Sequence, residues 1–388
     1  MKHPKFAAHL VSALTVAAAM TGGVAAAKTV TLGFTGPLSG GAAQYGQNAL
    51  SGIQMAIDEI KANGGYEICG ETYEVTVQAL DDKYSPSEAA INAKRLVQQH
   101  RVPVVFTPQT GGTFAMQAFN QRDGFIIAAY TSVPEIVERG NKLTVRIPPS
   151  YEGYVEPFTV YLQERFGTKL GVANGTHTYA KLWTEAFTPV WEEQGGEVVI
   201  ANPMDYNRDT DFYSGVSRVL AAKPDVLLIG GASEPAGLVA QQARNLGFQG
   251  GFAVMDQAKL DEMARVVGLE PLEGAIGVMP LIYNEAPAAQ RFVKAYRERA
   301  NKDPSSEVSY HYFATYAFVE AMNQACSTTD PNKIRAELDA AIKAVPAELN
   351  APGITGVTEA GAFIIDAPLA TVEDGEIVPT TREALLTK

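Results

Sequence analysis

Little in this chain can carry covalent chemistry. Two cysteines, two tryptophans and five histidines occur among its 388 residues. Past the leading His3 and His9, only His100, His177 and His311 remain, widely separated and without the spacing of a zinc-binding helix. Each of these three is expected on the surface or in a pocket, not on a metal. No GxSxG elbow occurs, and neither Cys69 nor Cys326 has the local setting of a thiol nucleophile. Paired CxxC spacing is also missing, so neither an enzyme nor a metal protein is the expectation, and no cofactor is called for. Basic charge is scarce as well: 31 Lys and Arg stand against 43 Asp and Glu, a net charge of −12. Such a surface repels phosphate backbones and anionic lipid, which excludes a nucleic-acid partner. The one long apolar run, residues 6–20, is too short and too alanine-rich for a good membrane span.

That run fits a secretion signal instead. Lys2 and Lys5 supply the positive start, and Ala25-Ala26-Ala27 a small-residue cleavage site. Residues 1–27 are therefore expected to be removed, giving a soluble protein exported to the periplasm; an uncleaved anchor is the alternative. Export places Cys69 and Cys326 where disulfides persist. Cys69 follows the first predicted helix and Cys326 ends a later one, so both fit the same outer end of one lobe. A bridge is expected, with two separate buried thiols as the other possibility.

Strand-like apolar runs then alternate with helix-period segments almost to the C-terminus, the pattern of parallel sheets covered by helices on both faces. In the first helix Leu50, Ile53, Ile57 and Ile60 recur at three and four residues, and Gly64-Gly65 stops it. Ser85-Pro86-Ser87-Glu88 reads as a capping box with proline at the first helical position. A second, similar series begins after Pro148, which predicts a second lobe. The mostly helical stretch after Met279 is too strand-poor for a third. The predicted fold class is α/β: two doubly wound parallel-sheet lobes joined by a three-segment hinge. Lobe one takes residues 28–148 plus 281–353, lobe two 149–280 plus 354–388, with crossings near 148, 279–281 and 353–356.

Two local features invite a functional reading. The glycine-rich turn TGPLSGGAAQYG, residues 35–46, leads into the first helix and is shaped to hold a small anion, yet it lacks the GK[ST] ending of a phosphate loop and the spacing of GxGxxG. The adjacent Asp81 and Asp82 lie at a strand end before a capped helix, where solvated turn residues are the expectation.

These segments, with DDKYSPSEAAINAKRLV (81–97), TSVPEIVERG (131–140), DVLLIGGASEPAGLVAQQARNLGF (225–248) and FATYAFVEAM (313–322), closely resemble the leucine/isoleucine/valine-binding family of periplasmic solute-binding proteins that serve ABC importers. The resemblance implies the type I periplasmic binding protein fold and a solute held between the lobes. It implies that lobe one takes the solute's carboxylate through Thr110 and Ser132, with Gln109 and Thr131 beside them. Both segments follow predicted buried strands, so they fall at strand carboxyl ends, where open α/β sheets bind ligands; simple helix capping is the other role open to the two hydroxyls. Tyr45 and Tyr179 match tyrosines that flank the solute, against ordinary packing. Asp256 falls where amino-acid binders place an acidic group for the ammonium. Tyr206, Tyr283 and Tyr310 are further candidates for the lining. The expected function is thus that of a monomeric periplasmic receptor that binds a small carboxylate-bearing solute, an amino acid first, and docks on an ABC permease. Aromatic or other small organic acids, and a ligand-sensing domain of a signalling system, are the alternatives.

Overall fold

The protein is described by a computed structural model covering Met1 and residues 28–387. The predicted signal beyond Met1 lies outside the described residues. Strands β1 (Lys28–Gly36), β2 (Tyr66–Ile68), β3 (Glu71–Asp81), β4 (Val104–Thr107), β5 (Ile126–Ala129) and β6 (Thr144–Arg146) build one sheet in the order β2-β3-β1-β4-β5-β6. All its neighbours pair in parallel except β2, which folds back antiparallel on β3. A second sheet uses β7 (Lys169–Val172), β8 (Glu197–Ala201), β9 (Val226–Ile229), β10 (Gly251–Val254) and β11 (Ala275–Val278). Its parallel strands run β11-β10-β9-β7-β8. Read by chain order, the parallel strands of each sheet follow the same 2-1-3-4-5 arrangement, the doubly wound topology in which ligands bind beyond the strand carboxyl ends where the winding reverses.

Burial explains the strand sequences. β4, β5, β9, β10 and β11 are covered by helices on both faces and are wholly buried, so they read as continuous apolar runs without alternation. Helices follow the sequence signals closely: Ser85 caps Pro86–His100 by accepting the Glu88 N–H, with Pro86 at the first turn. The helix Ala43–Ala62 packs its Ile53 and Ile60 stripe against Ser306–Gln324. There Gly52 is required, because any Cβ would collide with the Val308 carbonyl.

Helices Pro287–Ala300, Ser306–Gln324 and Leu338–Ala344 share the core of the first sheet, as the strand-poor sequence predicts. The third return differs from expectation. A small hairpin of β12 (Gly356–Val357) and β13 (Phe363–Ile364) stays with the first lobe: Asp339 accepts the Val357 N–H, and Ala362 bridges Arg146 of β6. The chain therefore passes over after residue 364, not at 353–356. It then adds β14 (Leu369–Glu373) and β15 (Glu376–Thr380) antiparallel to β11. Two-residue strands carry too few positions for a period to register. The helix Leu260–Val267 was also not anticipated in the sequence.

Cys69 and Cys326 form a disulfide across a separation of 257 residues, with Cα atoms 5.0 Å apart. It ties the turn between β2 and β3 to the end of the helix Ser306–Gln324, at the outer end of the first lobe.

Candidate functional site

The strand carboxyl ends of both sheets face each other across one cleft. From the first lobe, β4 delivers Pro108 and Thr110, β5 delivers Tyr130, Thr131 and Ser132, and the helix after β1 delivers Tyr45. From the second, β7 leads to Tyr179 and β10 to Asp256 and Gln257. Together with Tyr84 and Pro148 these residues line a small cavity of about 10 Å³, room for little more than one water in the closed form. The lobes are closed upon it. Ser132 Oγ lies 3.1 Å from Asp256 Oδ1 and 2.9 Å from the Tyr179 hydroxyl, so the two jaws touch within the cavity.

Asp256 is the electrostatic centre. Its Oδ1 accepts hydrogen bonds from Ser132, from the Trp183 indole N–H at 2.9 Å and from the Tyr179 hydroxyl. Trp183 lies one helical turn beyond Tyr179, on the same face of the helix Thr178–Glu193. Burial pushes the Asp256 carboxyl up to about 6, while Lys259, the Ser132 hydroxyl and Arg146 pull in the opposite direction. Lys259 is committed elsewhere: its ammonium donates to the backbone carbonyls of Asp256 and Gln257. The carboxylate therefore has donors on one side and, among the described residues, no direct ion pair, the condition of a buried charge that a cationic group would satisfy.

Opposite it, Thr110 and Thr131 sit with their hydroxyl oxygens 2.5 Å apart. Thr110 opens the helix Thr110–Gln117, whose N-terminus carries no side-chain cap. The first backbone N–H groups of a helix lack intrahelical acceptors and favour an anion. One wall thus suits a carboxylate and the other an ammonium.

Of the residues singled out in the sequence, Tyr45, Thr110, Thr131, Ser132, Tyr179 and Asp256 meet in the cavity. Four do not. The Gln109 side chain turns away, donating to Asp82 at 2.6 Å. Tyr206 is buried in the second lobe, its hydroxyl donating to the Ala173 carbonyl and its ring packed on Gly231. Tyr283 is exposed on the short turn Leu281–Tyr283. Tyr310 stacks behind Tyr130, ring centroids 5.5 Å apart, and lines a separate crevice with Met279 and Pro352.

Asp82 also departs from the expectation of a solvated turn. It is fully buried and receives the Thr35 hydroxyl, the Gln109 amide and the Tyr84 N–H, with burial pushing its carboxyl up to about 6. In the glycine-rich turn two donors are occupied: Asp81 accepts the Leu38 N–H at 2.9 Å, and Asn207 of the other lobe accepts the Gly41 N–H at 3.2 Å. A Cβ at Gly46 would strike the Pro37 carbonyl, so the glycines there serve close packing. Sequence reasoning missed Tyr84, Tyr130, Trp183 and Gln257. Of these, Gln257 beside Asp256 and Trp183 one turn past Tyr179 carried a signal in their spacing.

The lobes also meet away from the cavity. Asn48 of the first lobe donates through one amide nitrogen to Glu262 of the second at 2.6 Å, and to Glu307 at 3.1 Å and Ser305 at 3.2 Å within its own. Ser233 donates to the other Glu262 oxygen at 3.2 Å. Burial first, then the facing Glu307 and Asp261, pushes Glu262 up to about 8. Glu262 therefore favours its protonated form in the closed state.

Among the described residues no cluster of His, Cys, Asp or Glu is arranged to hold a metal, and no helix is long and apolar enough to cross a membrane. Two doubly wound lobes closing on a buried cavity, lined by hydroxyls and one carboxylate, define a solute-binding protein. A sequence model of the periplasmic binding proteins matches residues 29–376, and the chain belongs to that non-enzymatic family. Among curated relatives it is similar to the leucine-, isoleucine-, valine-, threonine- and alanine-binding protein of Pseudomonas aeruginosa, 24% identical over 81% of this chain and 83% of that protein. A Leu/Ile/Val-binding protein homologue of Brucella suis is 26% identical, over 81% and 82% respectively. Among solved structures, the isoleucine complex of the branched-chain amino acid binding protein of Streptococcus pneumoniae shares the fold. It superposes with a TM-score of 0.74 at 23% identity, over 91% of this chain and all of that one. A possible leucine/isoleucine/valine-binding protein of Rhodopirellula baltica gives 0.78 at 21% identity, over 93% and 98%.

Proposed function

We propose that the protein is a periplasmic receptor of an ABC importer that captures a small amino acid between its lobes. The observation that carries this reading is the polarity of the cavity: Asp256, buried and without a direct ion pair, stands across from the Thr110 and Thr131 hydroxyls at an uncapped helix start. A zwitterion satisfies both walls at once. Its ammonium takes the place at Asp256 that the Ser132 hydroxyl occupies in the closed form, and its carboxylate takes the hydroxyls and N–H groups of lobe one. Tyr45 and Tyr179 flank it. Entry requires the lobes to part, because Ser132 reaches Asp256 across the cavity. Closure is then favoured by what the solute gains from touching both jaws. The names of the curated relatives, one for binding leucine, isoleucine, valine, threonine and alanine and one as a Leu/Ile/Val-binding protein homologue, agree with an amino acid.

A thermal-shift screen of the mature protein against amino acids, aromatic acids and amides tests it. Stabilisation by one or more amino acids is expected. Stabilisation by benzoates alone would overturn the zwitterion and favour an organic-acid receptor.

A further inference from the structure

The cavity contains a second polar element that the zwitterion does not use. Tyr84 comes from lobe one, on the turn between β3 and the helix Pro86–His100, and Gln257 from lobe two, after β10. The Gln257 amide nitrogen donates to the Tyr84 hydroxyl at 2.8 Å, closing the cleft at this point. The Gln257 carbonyl oxygen, in a residue only 4% exposed, has no partner among the described residues. Tyr84 is fixed in place from three directions. Its backbone takes a positive φ of 60°, its N–H is held by buried Asp82 at 2.9 Å, and the His177 ring packs against it nearly edge-on at 5.3 Å. A residue of this kind in the left-handed region needs surrounding structure to hold it there.

The chemistry of the pair does not depend on which way the amide is turned. With the nitrogen on Tyr84, the tyrosine hydrogen and the glutamine carbonyl remain to be satisfied. With the amide reversed, the tyrosine lone pair and the glutamine N–H groups remain instead. Either way one donor and one acceptor stand side by side at a water-poor wall. Such a pair complements a group that itself offers a donor and an acceptor, namely a carboxamide or a hydroxyl. An aliphatic group placed there would leave both unpaired, which is penalised far more than a missing methylene.

We infer that Tyr84 and Gln257 read the solute's side chain, and that the preferred amino acid carries a carboxamide or hydroxyl group in place of the branched aliphatic side chain of leucine, isoleucine or valine. The inference rests on the proposed amino-acid reading. It is tested by calorimetry on the mature, disulfide-intact protein with two nearly isosteric couples: L-asparagine against L-leucine, and L-threonine against L-valine. The wild type is expected to favour the polar member of at least one couple by tenfold or more. Gln257→Leu and Tyr84→Phe should each reduce that preference to within about threefold. Equal or tighter binding of leucine and valine by the wild type would overturn the side-chain reading and leave the amino-acid site standing. A preference that survives in both variants would overturn it too. If organic acids or amides bind and no amino acid does, the zwitterion site itself fails and the inference falls with it. The wild-type comparison needs no variant to fold.

Discussion

Replacing Asp256 by Asn removes the negative charge while keeping nearly the same shape. In the wild type the carboxylate is 8% exposed and receives three hydrogen bonds from Ser132, Tyr179 and Trp183. If it also receives the solute's ammonium, the variant leaves that ammonium buried and unpaired. Removing one partner of a buried charge pair costs about 3–5 kcal/mol. At about 1.4 kcal/mol per decade of affinity, the expected loss is roughly 150- to 4,000-fold. A pH signature separates this from a merely structural effect. Burial places the Asp256 carboxyl at about 6 before the solute arrives, and an ammonium lowers it further by favouring the ionised form. Affinity is then full above about 6 and falls as pH drops through it, by up to tenfold per unit, with a proton released on binding in that range. The Asn variant, having nothing to titrate, should show a flat profile over the same window. Titration calorimetry in two buffers measures both affinity and proton release, and the Trp183 indole beside the carboxylate gives an independent fluorescence readout. An Asn variant that binds within threefold of the wild type, or a wild type indifferent to pH between 5 and 7, would refute the reasoning.

Glu262 should make closure respond to pH in a different window. With its carboxyl raised from 4.5 to about 8, its contribution is full below about 4.5 and is lost as pH rises through about 8, at no more than about 1.4 kcal/mol per unit for one proton. The melting temperature should therefore fall between about pH 5 and 8, and Glu262→Gln should flatten that fall; an unchanged slope in the variant would contradict the raised Glu262 carboxyl. The Cys69–Cys326 bridge joins two first-lobe segments across 257 residues of sequence and does not line the cavity, so its loss should lower stability by about 2–5 kcal/mol. Denaturant titration of the reduced or Cys69→Ser, Cys326→Ser protein measures this, and solute affinity at 25 °C should stay within about threefold.

The sequence made the lobes legible because each element declares itself locally. The buried runs of β4, β5 and β9, the stripe at Ile53 and Ile60, and the cap at Ser85 are all readable without any partner. The hydroxyls and the acidic residue of the site were legible for a related reason: they follow buried strands, and strand carboxyl ends in doubly wound sheets converge. What was lost depends on contacts between distant segments. Gln109 occupies the predicted turn but is drawn off by Asp82, whose own burial follows from Thr35 and Tyr84 closing over it. The glycine turn has the composition of an anion site, yet Asp81 and Asn207 each take one of its N–H donors, the second from the opposite lobe. Tyr206 and Tyr310 were placed in the lining on residue type alone, and neither lines the cavity. Tyr84 and Gln257 meet only when the cleft is shut, across 173 residues of sequence.

The central claim is that both charges of one small solute are read at once, one by each jaw. The most direct test is calorimetry of the mature protein with its preferred amino acid, then with analogues lacking only the amino group or only the carboxylate. Loss of at least a hundredfold in affinity with each analogue is the predicted result. Retention of full affinity by the analogue without the amino group would contradict the role given to Asp256 and, with it, the amino-acid receptor.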